Sequence, residues 1–238
     1  MAKKVLIKSL CISLLVIAAL LLSLSLSALA SEMRCLNIQV VLVRLNAANN
    51  HQVVCDGAAD ALDFLATYDL KPRRQITIEV VSEQINSNGY LAYGSYDRTR
   101  DMITLMSYQA ILLGTLNPQM YRQPFDSQHY RGAIAHEVAH AVFHHNSSNV
   151  KDQLTNATQE YLAHATQLAV LTETRRAEII SGSDIGPWES GDSISEIYMG
   201  LDPTGFAIKS YLHLTTTKNP HEFINIILNH NWFFVSVP

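Results

Sequence analysis

Apolar residues recur with a strand period in the first half of the chain and a helical period in the second. Leu36 to Leu45 is rich in Ile, Val and Leu and reads as a strand. From Asp56 to Tyr68, Ala58, Ala59, Leu62, Leu65 and Ala66 fall at helical spacing. Asp56 or Cys55 stands at the start of that helix, and Lys71-Pro72 follows its end. Gln75 to Ser82 alternates Ile76, Ile78 and Val80 with Thr77 and Glu79, which predicts a strand. Asn86-Ser87-Asn88-Gly89 reads as a turn. Tyr90 to Tyr96 and Met102 to Met106 flank the polar turn Asp97 to Asp101 and predict a β-hairpin. Ser107 to Leu113 predicts a short helix, and Asn117 to Ser127, with Pro118 and Pro124, a loop.

Helices dominate beyond that loop. No proline occurs from Gln128 to His145, Ser127 or Asp126 can cap the start, and Asn146 can end the helix. Asn156 or Thr155 opens a long Ala/Leu/Gln/Glu helix reaching about Ile180. Ser181 to Ser193 is a Gly/Ser/Asp-rich boundary, and Ser193 to Met199 a short helical stretch. Asp202-Pro203 and Asn219-Pro220 each open a further helix, the last running to about His230. Strands followed by helices predict an α+β fold. The expected organisation is one domain over 31–238, with an α/β lobe to about residue 146 and a helical lobe from about 147.

Composition adds an address. Lys3, Lys4 and Lys8 precede an apolar run from Ser9 to Leu26, and Ala28-Leu29-Ala30 fits a cleavage site. The expectation is a cleaved signal peptide over 1–30 and a secreted or periplasmic protein, against the alternative of an uncleaved anchor. Removing its three lysines from the 17 basic residues leaves 14 against 21 acidic, a net of −7. Without a basic run, nucleic acid is excluded as an expected partner. No second long apolar run is present, so no stable membrane association is expected once the signal is removed. Cys35 and Cys55 remain as an even pair, which in an exported chain predicts a disulfide rather than two free thiols. Glu32-Met33-Arg34 is not the small-residue context of a lipidated Cys35.

The chemistry concentrates in His136-Glu137-Val138-Ala139-His140. Histidines four apart on a helix share a face, so both imidazoles can reach one zinc ion. Glu137 lies beside such a metal without binding it, placed to take a proton from its water. The alternative is an amphipathic helix with two ordinary histidines. Small apolar flanks from Gly132 to Ala135 and from Val138 to Phe143 favour a buried site helix. His144 is about 12 Å along the axis from His136, too far to share its ion, and His144 and His145 are expected at the surface or beside the site. His129 and Tyr130 are expected to line the cleft or cap the helix. A third ligand is expected at Glu160, alone among charged residues from Thr155 to Leu171 apart from His164. Glu160, Ala163, His164, Gln167 and Leu171 form one helix stripe. The alternative for Glu160 is a solvated helix position.

H-E-x-x-H followed by a helical Glu with nineteen residues between resembles the gluzincin, thermolysin-like zinc metallopeptidases, over roughly Ala133 to Gln167. Phe143 and Asn146 stand where the metzincin pattern has Gly and His. The resemblance implies a zincin-like domain, zinc held by His136, His140 and Glu160, Glu137 as general base, and a peptide or protein substrate. It also implies that the hairpin Tyr90–Met106 is a sheet edge that binds substrate as an added strand. Where many gluzincins carry an Asp one turn after the ligand Glu, this chain has His164. An oxyanion donor is expected from the C-terminal part, among Tyr198, Tyr211, His213 and His221. The rival expectations are a non-catalytic exported zinc-binding or peptide-binding scaffold of the same fold and a membrane-tethered interaction domain.

Overall fold

The computed structural model describes residues 31–45, 51–87, 90–147 and 156–229. The expected signal peptide, the Asn88-Gly89 half of the first turn and Thr155 lie outside them. The fold is α+β. Its centre is a mixed sheet of β1 (Ser31–Arg34), β2 (Val41–Leu45), β3 (Ile76–Val81), β7 (Met102–Met106) and β6 (Gly94–Asp97), in the order β1-β2-β3-β7-β6. β2, β3 and β7 run parallel, with Val43 beside Ile78 and Ile78 beside Ile103. β1 and β6 close the two edges antiparallel. Val41, Leu42 and Val43 are all buried, as are Ile76, Thr77 and Ile78, because parallel strands are covered on both faces.

The strand expected over 36–45 is shorter and preceded by a reversal. Cys35 N–H donates to the Val41 carbonyl and Val41 N–H to that of Ile38, so the chain doubles back and β1 pairs with β2. Cys35 is thereby carried to α1 (His51–Ala66), where it is disulfide-bonded to Cys55 across a separation of 20 residues. On the chain-entropy model a loop of that size stabilises the fold by about 3 kcal/mol. α1 begins five residues before the expected Asp56 and packs on α3 (Ser127–Asn146).

The strand expected over 90–96 breaks at Tyr93. β5 (Tyr90–Ala92) pairs with β4 (Ile85–Ser87), and β6 pairs with β7 as the expected hairpin. α2 (Tyr108–Gly114) follows, capped by Ser107. The expected loop 117–127 contains a hairpin of its own, β8 (Gln119–Met120) with β9 (Gln123–Pro124). The helix expected to reach Ile180 is two helices, α4 (Asn156–Ala169) and α5 (Glu173–Ser181). The break has a chemical cause. The Thr172 hydroxyl caps Arg175 N–H and starts α5, while the Arg176 guanidinium donates to the carbonyls of Ala169 and Leu171 at 2.9 Å. α6 (Glu196–Leu201), α7 (Pro203–Thr216) and α8 (Pro220–Asn229) complete the described chain. One apolar cluster runs from Val43, Ile78 and Leu105 in the sheet through Phe143 and Tyr161 to Phe206.

Candidate metal centre and cleft

α3 starts where Asp126 accepts hydrogen bonds from Gln128 N–H and His129 N–H, and His129 Nδ1 accepts from Asp126 N–H. Asp126 is therefore the cap, and His129 is a buried capping side chain outside the cleft lining. α3 and α4 pack closely and antiparallel. Contacts step from His144 with Gln159, through His140 with Glu160 and His136 with His164, to Gly132 with Gln167. A Cβ on Gly132 would lie 3.2 Å from Gln167 Cγ and 3.3 Å from its carbonyl oxygen, so this glycine permits the approach.

The packing brings His136, His140 and Glu160 together. Their nearest atoms are 3.1 Å apart (His136 Nε2 to His140 Nε2), 3.2 Å (His136 Nε2 to Glu160 Oε2) and 3.5 Å (His140 Nε2 to Glu160 Oε1). Donors about 2.0–2.1 Å from one tetrahedral ion stand about 3.3–3.4 Å from each other. These three side chains could hold a zinc ion with little movement. Two imidazole nitrogens and a carboxylate facing each other at this range need a cation or a proton between them. The charges respond accordingly. Burial pushes the His136 imidazole down, but Glu160 beside it overrides this and raises it to about 9. Burial opposes ionisation of Glu160, yet His140 and His136 hold its carboxyl well below the ordinary value.

Gln167 supports this set. Its Oε1 accepts from His136 Nδ1 at 3.0 Å, which leaves Nε2 to face Glu160, and its Nε2 donates to Met120 Sδ at 3.0 Å. It lies seven residues after Glu160, on the helix stripe already visible in the sequence. Glu137 is outside the donor set. It is buried beside His136, and burial raises its carboxyl above the ordinary value. The sheet edge lies directly on it: a Cβ on Gly94 of β6 would meet Glu137 Cγ at 2.6 Å and Oε1 at 2.8 Å.

These groups share a cleft of about 1360 Å³. Tyr93 to Asp97 forms one wall, the β8–β9 hairpin another, and Glu137, His140 and Glu160 lie on its floor. Tyr121 and Arg122 at the hairpin turn both have left-handed backbone, φ 53° and 61°. A two-residue hairpin turn of this kind normally uses Asn or Gly. Arg122 is held by Asp202, at 3.2 Å. None of the four expected oxyanion donors lines the cleft. His213 is buried against the Tyr161 hydroxyl at 2.7 Å, His221 lies 3.3 Å from Asp69, Tyr198 meets Trp188 edge-to-face, and Tyr211 lies under Arg176.

His145 was expected at the surface or beside the site and is found in neither place. It is buried, accepts from Arg73 N–H at Nδ1 and donates from Nε2 to Asp101 Oδ1 at 2.9 Å. Asp101 also receives Arg74 and the Tyr96 hydroxyl, tying the β6–β7 turn to the end of α3. Burial alone would raise the Asp101 carboxyl; the hydrogen bonds from Arg74, Tyr96 and His145 more than offset it and lower it from 3.8 to about 2. A lowered folded value stabilises above the unfolded value and is lost as pH falls through the folded one. The native fold is therefore expected to lose roughly 1–2 kcal/mol between about pH 4 and pH 2 from this group. Asp101→Asn keeps a residue that tolerates the left-handed φ of 50°. Its denaturation midpoint is expected to be lower than wild type at pH 7 and to converge with it near pH 2; a constant difference across that range contradicts the assignment.

An antiparallel helix pair with a His/His/Glu donor cluster, set beneath the edge of a mixed sheet, defines the site. The chain belongs to a family of unknown function (DUF6639), whose pattern it matches over residues 41–237. No curated protein and no solved structure matches it.

Proposed function

We propose that this protein is an exported zinc-dependent metallopeptidase. The observation that carries the reading is the meeting of His136 Nε2, His140 Nε2 and Glu160 within 3.1–3.5 Å, with the carboxyl group of Glu137 buried beside them under a sheet edge. His136, His140 and Glu160 would hold the ion. Zinc bound there supplies Lewis-acid polarisation of a carbonyl and lowers the pKa of a bound water towards about 7.

The chain's own residues do the rest. An extended peptide adds to β6 by backbone pairing, which lays one of its carbonyls across the floor of the cleft. Glu137 takes the proton from the attacking water and returns it to the leaving amine. Its upward shift by burial suits a group that must both accept and give a proton. Gln167 fixes the tautomer of His136. A merely structural zinc site has no use for the buried Glu137. Export is supported by the signal-like run from Ser9 to Leu26 and by the Cys35–Cys55 disulfide. Among the described residues no helix is long and apolar enough to cross a membrane.

The direct test is digestion of a peptide library by the mature protein with zinc, with a chelator, and with zinc restored. Cleavage that stops with the chelator and returns with zinc is expected; a zinc-loaded protein that cuts nothing contradicts the reading.

Gly94 gives a sharper check on the geometry. Its φ is not in the left-handed region, so alanine is acceptable to the backbone, and the three atoms its Cβ would meet first all belong to Glu137. Gly94→Ala is expected to keep its zinc and lose about 10²-fold in kcat/KM, the scale of a catalytic group displaced by about 1 Å. Full activity in this variant means that β6 does not position Glu137.

A further inference from the structure

His164 has no part in the reading above, yet it stands beside His136 and Glu160. Its Nε2 is 3.7 Å from Glu160 Oε2, and its ring meets that of His136 edge-on at 4.8 Å. Ligating atoms of His136, Glu160 and His164 all lie within 4.8 Å of one another. Glu160 and His164 are four apart on α4, as His136 and His140 are on α3, so each helix offers a pair of donors from successive turns of one face.

The task of orienting a ligand does not explain His164, because the His136 Nδ1 proton is already received by Gln167. The Nδ1 of His164 is sealed from solvent with no hydrogen-bond partner, and Phe206 backs the ring at 5.7 Å. Nε2 faces Glu160, and Gln167 also lies beside the ring. A lone pair on Nε2 facing the Glu160 carboxylate calls for a cation between them.

We propose that His164 is a fourth protein donor to the metal, closing the resting site with three imidazoles and one carboxylate. The inference rests on the metallopeptidase reading for the presence of the ion and extends its ligand set. The 3.7 Å from His164 Nε2 to Glu160 Oε2 is the longest of the atom-to-atom distances between these side chains given above.

The test uses the mature protein with zinc replaced by cobalt(II), read by proton NMR in water. Each bound imidazole shows one strongly shifted exchangeable N–H signal, and the sealed Nδ1–H of His164 exchanges slowly enough to be seen. Three such signals are expected in the wild type and two in His164→Ala. Metal affinity of the variant should fall by at least the roughly 10–100-fold that loss of a supporting residue brings. His164→Gln serves the same purpose if the alanine variant does not fold, and the wild-type count needs no variant. Cobalt uptake with only two signals overturns the fourth donor and leaves the three-ligand site standing. Absence of cobalt uptake overturns both.

Discussion

Glu137→Gln is expected to retain its zinc and lose about 10²–10⁴-fold in peptide hydrolysis, the usual contribution of a positioned general base. The two properties separate because of where Glu137 stands. It follows the donor His136 directly in α3, but the donor set is completed by Glu160 from the other helix. Its side chain is buried, with the backbone of Gly94 against Cγ and Oε1. Glutamine fills that space atom for atom and cannot take a proton. Folding should not suffer, since the change removes a buried ionisable group. Thermal midpoint and zinc content measured beside kcat/KM decide the matter. A variant with near-wild-type turnover removes Glu137 from the chemistry, and one that loses its zinc places it among the ligands.

Replacing Glu160 has the opposite signature. Glu160→Gln and Glu160→Ala are expected to lower zinc affinity by on the order of 10²-fold or more, beyond the loss caused by removing a supporting residue. Among the described residues Glu160 is the only anion touching both imidazole nitrogens, at 3.2 Å from His136 and 3.5 Å from His140. Without it, two nitrogens 3.1 Å apart are left with no charge to hold a cation between them. Zinc measured per chain after desalting should fall to near zero. Unchanged stoichiometry removes Glu160 from the donor set.

Much of this arrangement could be read from the chain, for identifiable reasons. Helical and strand periods in the apolar residues gave the sheet core, because β2 and β3 are buried and buried faces leave the strongest pattern. The meeting of His136, His140 and Glu160 was legible because His136 and His140 share a turn, and because a solitary acid in an apolar helix is unusual. What was illegible depends on contacts distant in sequence. Gly94 is an unremarkable glycine until β6 is laid on α3, 43 residues later. The β8–β9 turn lacks the Asn-Gly signal because Tyr121 and Arg122 take left-handed conformations themselves. The break between α4 and α5 depends on Arg176 reaching back to two carbonyls. His145 looked like a surface residue at a helix end, but its partner Asp101 comes from a turn 44 residues earlier. Gln167 was on the correct stripe, though only the packing shows it bonded to His136. The oxyanion donor was sought in the C-terminal part, and none of the four side chains named there lines the cleft.

His136, His140 and Glu160 are proposed to form one zinc site. The most direct measurement is calorimetric titration of zinc into the chelator-stripped mature protein, repeated on a variant with both His136 and His140 replaced by alanine. One equivalent of zinc is expected to bind the wild type, and the double variant should show no binding. A wild type that takes up no zinc, or a double variant that binds it equally well, contradicts the claim.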